Sequence, residues 1–293
     1  MSGTIAFVGL GAMGLPMAKR LVANGNTVRG FDLNPKALAS LKQAGGVASE
    51  SAAAAAEGAG TLLLMVVNAS QARAVLFEGK ALAALAPKAT VVLMATCAPA
   101  EALAIGEEVA ASGRSFVDSP VSGGVVGAES GTLTIMAAAP KSTFAAIEPL
   151  LKQVGDKLFH VGERWGQGAA VKTINQLLCG VHIAAAAEAF TLGEKAGLDG
   201  KLLLQILGNS AAASWMLNNR GPRMLQSDPQ STSAVDIFVK DLGIVAEAGK
   251  ASRMGLPLAA AALQMFLAAS GAGHGKADDS QVIRAYRALN GLA

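Results

Sequence analysis

The chain has 293 residues, 52% hydrophobic and 15% charged, with 34 Gly, two Cys and a net charge of +3. High hydrophobicity with low charge excludes intrinsic disorder, glycine without a three-residue period excludes collagen, and so small a charge excess argues against a nucleic-acid partner. Two cysteines cannot form a disulfide framework and fit a reducing compartment.

The Ala-rich stretch from Ser51 is broken by Glu57, Gly58 and Gly60, so no uninterrupted apolar run reaches about 18 residues and no membrane partner is expected. Met1–Val8 carries no basic region and leads directly into a strand pattern. That argues against a signal peptide and for the cytoplasm.

In chain order, Thr4–Gly9 is a short apolar run of the kind buried on both faces of a parallel sheet. Helical spacing follows over Gly11–Ala23, stopped by Asn24-Gly25. Thr27–Phe31 reads as a strand, Pro35–Ala44 as a helix and Thr61–Val67 as a second buried strand, with a helix near Gln71–Phe77. Thr90–Met94, Ser115–Asp118, Thr132–Ala137 and Lys157–His160 read as further strands, with helices at Pro99–Ala111 and Lys141–Val154. Such alternation predicts a doubly wound α/β sheet. Beyond about Gly162 strand signals vanish. Gly168–Lys195, Leu202–Leu207, Val235–Met254 and Leu258–Ala269 have helical periodicity. The expected organisation is a Rossmann-type domain over residues 1–162 and an all-α domain over residues 163–293. No repeat of fixed period is present, which argues against a solenoid.

Gly9-Leu10-Gly11-Ala12-Met13-Gly14 is a G-x-G-x-x-G that follows a strand and opens a helix. Gly9 permits the tight turn, Gly11 the approach of a pyrophosphate, and Gly14 close helix–strand packing. The diphosphate would lie against free N–H groups at the helix start. Asp32 ends the second strand, 18 residues after Gly14, where an acid accepts hydrogen bonds from the adenosine ribose. A carboxylate there repels a 2′-phosphate and no Arg follows it, so NAD is expected over NADP. The competing reading of Asp32 is a helix N-cap before Pro35.

Three later segments bear on chemistry. In Asp118-Ser119-Pro120-Val121-Ser122-Gly123-Gly124, two glycines after a serine suit either an ordinary turn or an anion-binding pair of backbone N–H groups. In Gly168-Ala169-Ala170-Val171-Lys172-Thr173-Ile174-Asn175, Lys172 and Asn175 share one face of a mostly apolar helix. A desolvated lysine suits general acid/base work, whereas a snorkelling lysine does not; the segment leaves both open. In Phe238-Val239-Lys240-Asp241-Leu242, a Lys-Asp pair is ordinarily a solvated helix face. His160, His182 and His274 have no metal-ligand spacing, and no metal is expected. His182 reads as a core residue of an apolar helix. Trp215 reads equally as a pocket wall or as core.

The order of GLGAMGLPMA, DSPVSGG with GTLTIM, GQGAAVKTINQ and KDLGIV resembles the β-hydroxyacid dehydrogenase family over essentially the whole chain. QLLCGVHIAAAAEA, SWMLNNR, SAVDIFVKDLG and GHGKADDSQVI resemble a sugar-acid-oxidising branch of it. Asn175 departs from that branch, which carries His there, and agrees with the wider family. Ser119 stands where the family usually has Ala.

The resemblance implies an oxidoreductase moving a hydride between NAD and a small hydroxy or polyhydroxy acid. It implies Lys172 as general acid/base, and Ser122, Gly123, Gly124 and Asn175 at the substrate. Gly9, Leu10, Gly11, Ala12, Met13, Gly14, Asp32, Val66, Val67, Thr96 and Lys240 would hold the cofactor. A homodimer or homotetramer, built through the helical domain, is implied as well. The readings from other classes are imine reduction, which usually lacks this lysine, and a non-catalytic cofactor-binding protein.

Overall fold

The computed structural model describes residues 3–292, which divide into two compact units: residues up to Lys172, and residues from Thr173 onward. The first unit is a nine-stranded sheet flanked by helices. Its strands are β1 (Ile5–Val8), β2 (Val28–Phe31), β3 (Val47–Ala48), β4 (Thr61–Leu64), β5 (Thr90–Leu93), β6 (Ser115–Asp118), β7 (Val121–Ser122), β8 (Thr134–Ala138) and β9 (Lys157–Gly162). The order is β3-β2-β1-β4-β5-β6-β8-β7, with β9 on β8. From β3 to β6 all pairs are parallel; β8 runs antiparallel to β6 and β7 and parallel to β9.

The apolar runs are continuous because both faces of the sheet are covered. Ala6, Val8, Leu62, Leu64, Val91 and Leu93 pack into one core cluster, while the alternate residues Ile5, Phe7, Leu63 and Val92 pack into the other. The first cluster takes its helical side largely from Ala52, Ala55, Ala56, Ala69 and Ala72, whose short side chains let the helices lie close to the strands.

The helices of this unit are α1 (Gly14–Ala23), α2 (Pro35–Gln43), α3 (Ala52–Ala56), α4 (Ala69–Arg73), α5 (Ala81–Ala84), α6 (Pro99–Ala111), α7 (Gly124–Ser130) and α8 (Lys141–Leu151). Where boundaries differ from expectation, glycine and local hydrogen bonding account for it. The first helix starts at Gly14 rather than Gly11, because residues 11–13 turn after Gly9, whose φ is +93°. The strand expected over Thr61–Val67 ends at Leu64, and Val67 donates its N–H to Gln71 instead. The expected anion loop at Gly123 and Gly124 is also a helix start: both have positive φ, and Gly124 opens α7.

Helix α9 (Gln167–Lys195) leads into the second unit, followed by α10 (Gly200–Gly208), α11 (Trp215–Met224), α12 (Val235–Ala251), α13 (Pro257–Ala269) and α14 (Ile283–Leu289). Helix α11 was not expected, since Gly221 and Pro222 interrupt its pattern. The unit's core gathers Ile183, Phe190, Phe238, Leu242, Phe266 and Tyr286. Buried ion pairs tie α11 to the segment before α14. Arg220 donates to both carboxylate oxygens of Asp279 (2.9 and 2.7 Å), and Arg223 donates to Asp278 (2.9 Å). Fork-to-carboxylate pairing of this kind fixes orientation as well as distance. Helix α9 is long and apolar enough to cross a membrane, but 56% of its most apolar 18-residue window is buried within the protein, as in a core helix.

Candidate active site

Neighbours β2 and β4 leave β1 in opposite directions, so the strand order reverses there, and open α/β sheets take ligands beyond the carboxyl ends of the strands at such a point. The first unit's predicted cofactor residues lie along that edge: Gly9–Gly14 after β1, Asp32 after β2, Val66 and Val67 after β4, and Thr96 after β5.

The three loop glycines are required for different reasons. A Cβ on Gly9 would lie 2.3 Å from the Met65 carbonyl oxygen, and one on Gly14 would lie 1.8 Å from the Gly9 carbonyl oxygen. Both must therefore be glycine for the protein's own packing. A Cβ on Gly11 would meet nothing within 4 Å. Its space is open on the protein side, as a diphosphate approaching the backbone would require. Asp32 accepts N–H bonds from Leu10 (2.6 Å) and Asn34 (2.7 Å), which tie the glycine loop to the end of β2. The N-cap of α2 is Asn34, whose side chain accepts from Lys36, and so Asp32 is not the cap.

Ser122 ends β7, and Gly123 and Gly124 follow it with φ of +130° and +63°. A Cβ on Gly123 would press on Leu133 at 3.2 Å. Side-chain-free backbone at this turn can present N–H groups to an anion such as a carboxylate.

Lys172 is 6% exposed on α9, which removes the snorkelling alternative. The start of α9 is held by β6. Phe116 and Asp118, two residues apart, share one face of that strand. The Trp165 indole N–H donates to the Phe116 carbonyl (3.0 Å), and the two rings meet edge to face at 5.9 Å. The buried Asp118 carboxylate accepts N–H bonds from Gly166 (3.0 Å) and Ala169 (2.9 Å). Burial pushes this carboxyl up to about 6, against the lowering influence of those N–H groups. The sequence places Asp118 at the end of a strand and at the head of the Ser119–Gly124 segment without giving it a role of its own. An acid closing an apolar strand was the available signal.

In the second unit the residues form a chain of hydrogen bonds. Asn175 Nδ2 donates to Gln176 Oε1 (2.8 Å) and Gln176 Nε2 donates to Asp241 Oδ2 (2.5 Å), while Lys240 Nζ pairs with Asp241 Oδ1 (2.7 Å). Asp241 is 2% exposed, so the Lys240-Asp241 pair is not a solvated helix face. Sequence spacing had not linked Gln176 or Asp241 to Asn175, since the contact joins residues 65 apart. Trp215 is 51% exposed and stacks under the Arg220 guanidinium, which removes it from the core. His182 is half-buried rather than a core residue. His160 stacks on Phe144 at 4.3 Å and bonds the Ala139 carbonyl, a structural arrangement.

Two family models match the chain: the NAD binding domain of 6-phosphogluconate dehydrogenase over residues 4–162, and the NAD-binding domain of NADP-dependent 3-hydroxyisobutyrate dehydrogenase over residues 166–286. L-threonate dehydrogenase of Cupriavidus necator is 45% identical over 98% of this chain and 97% of its own length. The 3-hydroxyisobutyrate dehydrogenase of Pseudomonas aeruginosa is 36% identical over 97% and 98%. Among solved structures, the 3-hydroxyisobutyrate dehydrogenase of Salmonella typhimurium superposes with a TM-score of 0.93 at 42% identity, covering 96% of this chain and 99% of that one.

Proposed function

Because the chain belongs to the β-hydroxyacid dehydrogenase family of nicotinamide-dependent oxidoreductases, we propose that it oxidises a small sugar acid with NAD, in the manner of an L-threonate dehydrogenase. The buried Lys172 carries this reading. An amine held so far out of water is one whose proton affinity the surroundings can tune toward general acid/base work.

A nicotinamide cofactor held by these residues would supply the acceptor for the hydride leaving carbon 2 of the acid. Lys172 Nζ takes the proton of the hydroxyl on that carbon, and the products are 2-dehydro-L-erythronate and NADH. Asn175 orients that hydroxyl or its neighbour. The backbone at Ser122, Gly123 and Gly124 binds the substrate carboxylate. Gly9, Leu10, Gly11, Ala12, Met13 and Gly14 receive the diphosphate, and Asp32 the adenosine ribose. Val66, Val67, Thr96 and Lys240 complete the cofactor site.

Asp32 supports NAD over NADP, since a 2′-phosphate beside its carboxylate would be repelled. Residues 1–162 serve as the NAD-binding domain, and residues 163–293 as the helical substrate and oligomerisation domain. The protein works in the cytoplasm as a homodimer or homotetramer, without nucleic-acid or membrane partners. A second reading, 3-hydroxyisobutyrate dehydrogenase or a tartronate semialdehyde or glyoxylate reductase, is favoured by Asn175, the wider family's residue where the L-threonate branch carries His.

The test is a panel of L-threonate, D-erythronate, D-glycerate, L-serine and 3-hydroxyisobutyrate with NAD and with NADP. The expected outcome is highest kcat/KM for L-threonate with NAD. Lys172→Ala should lower kcat by about 10²–10⁴-fold. Activity within about tenfold of the parent would overturn the role of Lys172. NAD binding without turnover of any acid would point to a non-catalytic protein, and faster reduction of a cyclic imine to an imine reductase.

A further inference from the structure

The first turn of an α-helix leaves backbone N–H groups without intrahelical partners. For α9, a helix of 29 residues, the groups at Gly166 and Ala169 are met by a single carboxylate from outside the helix, that of Asp118 at the end of β6. Asp118 is 1% exposed, so these bonds are made out of water. Charge-assisted bonds to N–H groups at a helix N-terminus are among the stronger ones a carboxylate makes, and the aligned peptide dipoles add to them.

The fit at this joint is close. A Cβ on Gly168 would lie 2.6 Å from the carbonyl oxygens of both Asp118 and Met136, so the first turn of α9 rests on the backbones of β6 and β8. Two residues further toward the chain start, Gly166 has φ of +89°, and a Cβ there would lie 2.7 Å from the Pro99 carbonyl. Trp165 pins the preceding turn to Phe116 on the same strand. Lys172 follows Ala169 by three residues, one helical turn on along the same face.

We propose that Asp118 is a positioning residue for the reaction: by holding the first-turn N–H groups of α9 against β6, it sets where the Lys172 side chain stands. This rests on the reading of Lys172 as the acid/base. A helix start freed from β6 can slide or fray by a fraction of a turn. A displacement of about 1 Å at an acid/base group is enough to cost on the order of 10²-fold in rate.

The experiment compares Asp118→Asn, Asp118→Ala and Lys172→Ala in the full chain, with the best acid of the panel and NAD. Asp118→Ala should lower kcat by about 10²-fold, and Asp118→Asn, which keeps one acceptor oxygen, should recover part of that loss. The Kd for NADH, measured by fluorescence titration, should stay within threefold of the parent in both. Hydrogen exchange should be faster at residues 166–171 in both variants and unchanged over β1 and β4.

If both Asp118 variants turn over at the parental rate, or lose NADH binding in step with kcat, the proposal is overturned. If both fail to fold, Asp118 serves folding alone and the proposal falls as well; if one fails, the other decides. Full activity in Lys172→Ala would instead remove the acid/base reading on which the proposal stands, whereas loss there with parental rates at position 118 removes the proposal alone.

Discussion

Asp118 shows what a single buried carboxyl costs. Its folded-state pKa is raised from 3.8 to about 6, chiefly by burial. The sign follows from linkage: a raised acid favours the fold most when protonated, so its contribution is full below pH 3.8 and is lost as the pH rises through about 6. At 1.36 kcal/mol per unit, ionisation takes about 3 kcal/mol from stability over the whole range from below pH 3 to above pH 7. Asp118→Asn has no such group to ionise. Urea unfolding of parent and variant at pH 4.5 and 7.5 should show the parent losing about 2 kcal/mol more than the variant over that interval. An equal change in both would show that the carboxyl titrates normally. Retaining an acid that destabilises the fold at neutral pH agrees with a role in placing α9. Lys172, Asp32 and the loop glycines could be picked out from spacing alone, because each stands in a short local pattern. The partners of Asp118 could not, because Gly166 and Ala169 lie 48 and 51 residues away.

Among elements, the β1–α1 crossing separates two kinds of glycine. Gly14 packs against the Gly9 carbonyl, so a methyl group there must push helix and strand apart. Gly11 faces open space on the protein side. Gly14→Ala should lower thermal stability by about 1–3 kcal/mol and weaken NADH binding with it. Gly11→Ala should melt within a degree or two of the parent, yet raise the Kd for NADH by at least tenfold, because its methyl group intrudes only on the diphosphate. Differential scanning fluorimetry and fluorescence titration read the two effects separately; a destabilised Gly11→Ala protein would refute this division. Elements with strong periodicity were legible: β1, β5, β6, α6, α9 and α13 fall within a few residues of their expected bounds. Elements whose sequences break the rules were not. Helix α11 carries Pro222 and Gly221, and α7 begins at two glycines with positive φ. Their helicity depends on tertiary support, as the Arg220–Asp279 and Arg223–Asp278 pairs give α11.

For the whole molecule, the exposed side of α9 is the feature that calls for a covering surface. Ile174, Leu178 and Leu192 are 65%, 51% and 71% exposed at spacings that place them along one stripe of the helix. Apolar side chains in line on the exposed side of a long helix fit burial against another copy of the chain. Light scattering of the parent should give a dimer or tetramer. Leu178→Glu combined with Leu192→Glu should shift it toward monomer without lowering far-ultraviolet ellipticity; an unchanged mass would place the interface elsewhere. What depends on local order is written in the chain: strand and helix periods, the glycine loop, the acid after β2, and a lysine on an apolar helix. Local rules suffice there because each signal lies within a few residues or one βαβ unit. Which side chains are desolvated, and what holds them, follows from the folded arrangement: Lys172 buried, Asp118 bonded to the start of α9, Asp241 joined through Gln176 to Asn175, Trp215 outside the core. Burial and hydrogen-bond partnership are properties of residues far apart in the chain, and only the folded backbone brings those residues within reach of one another.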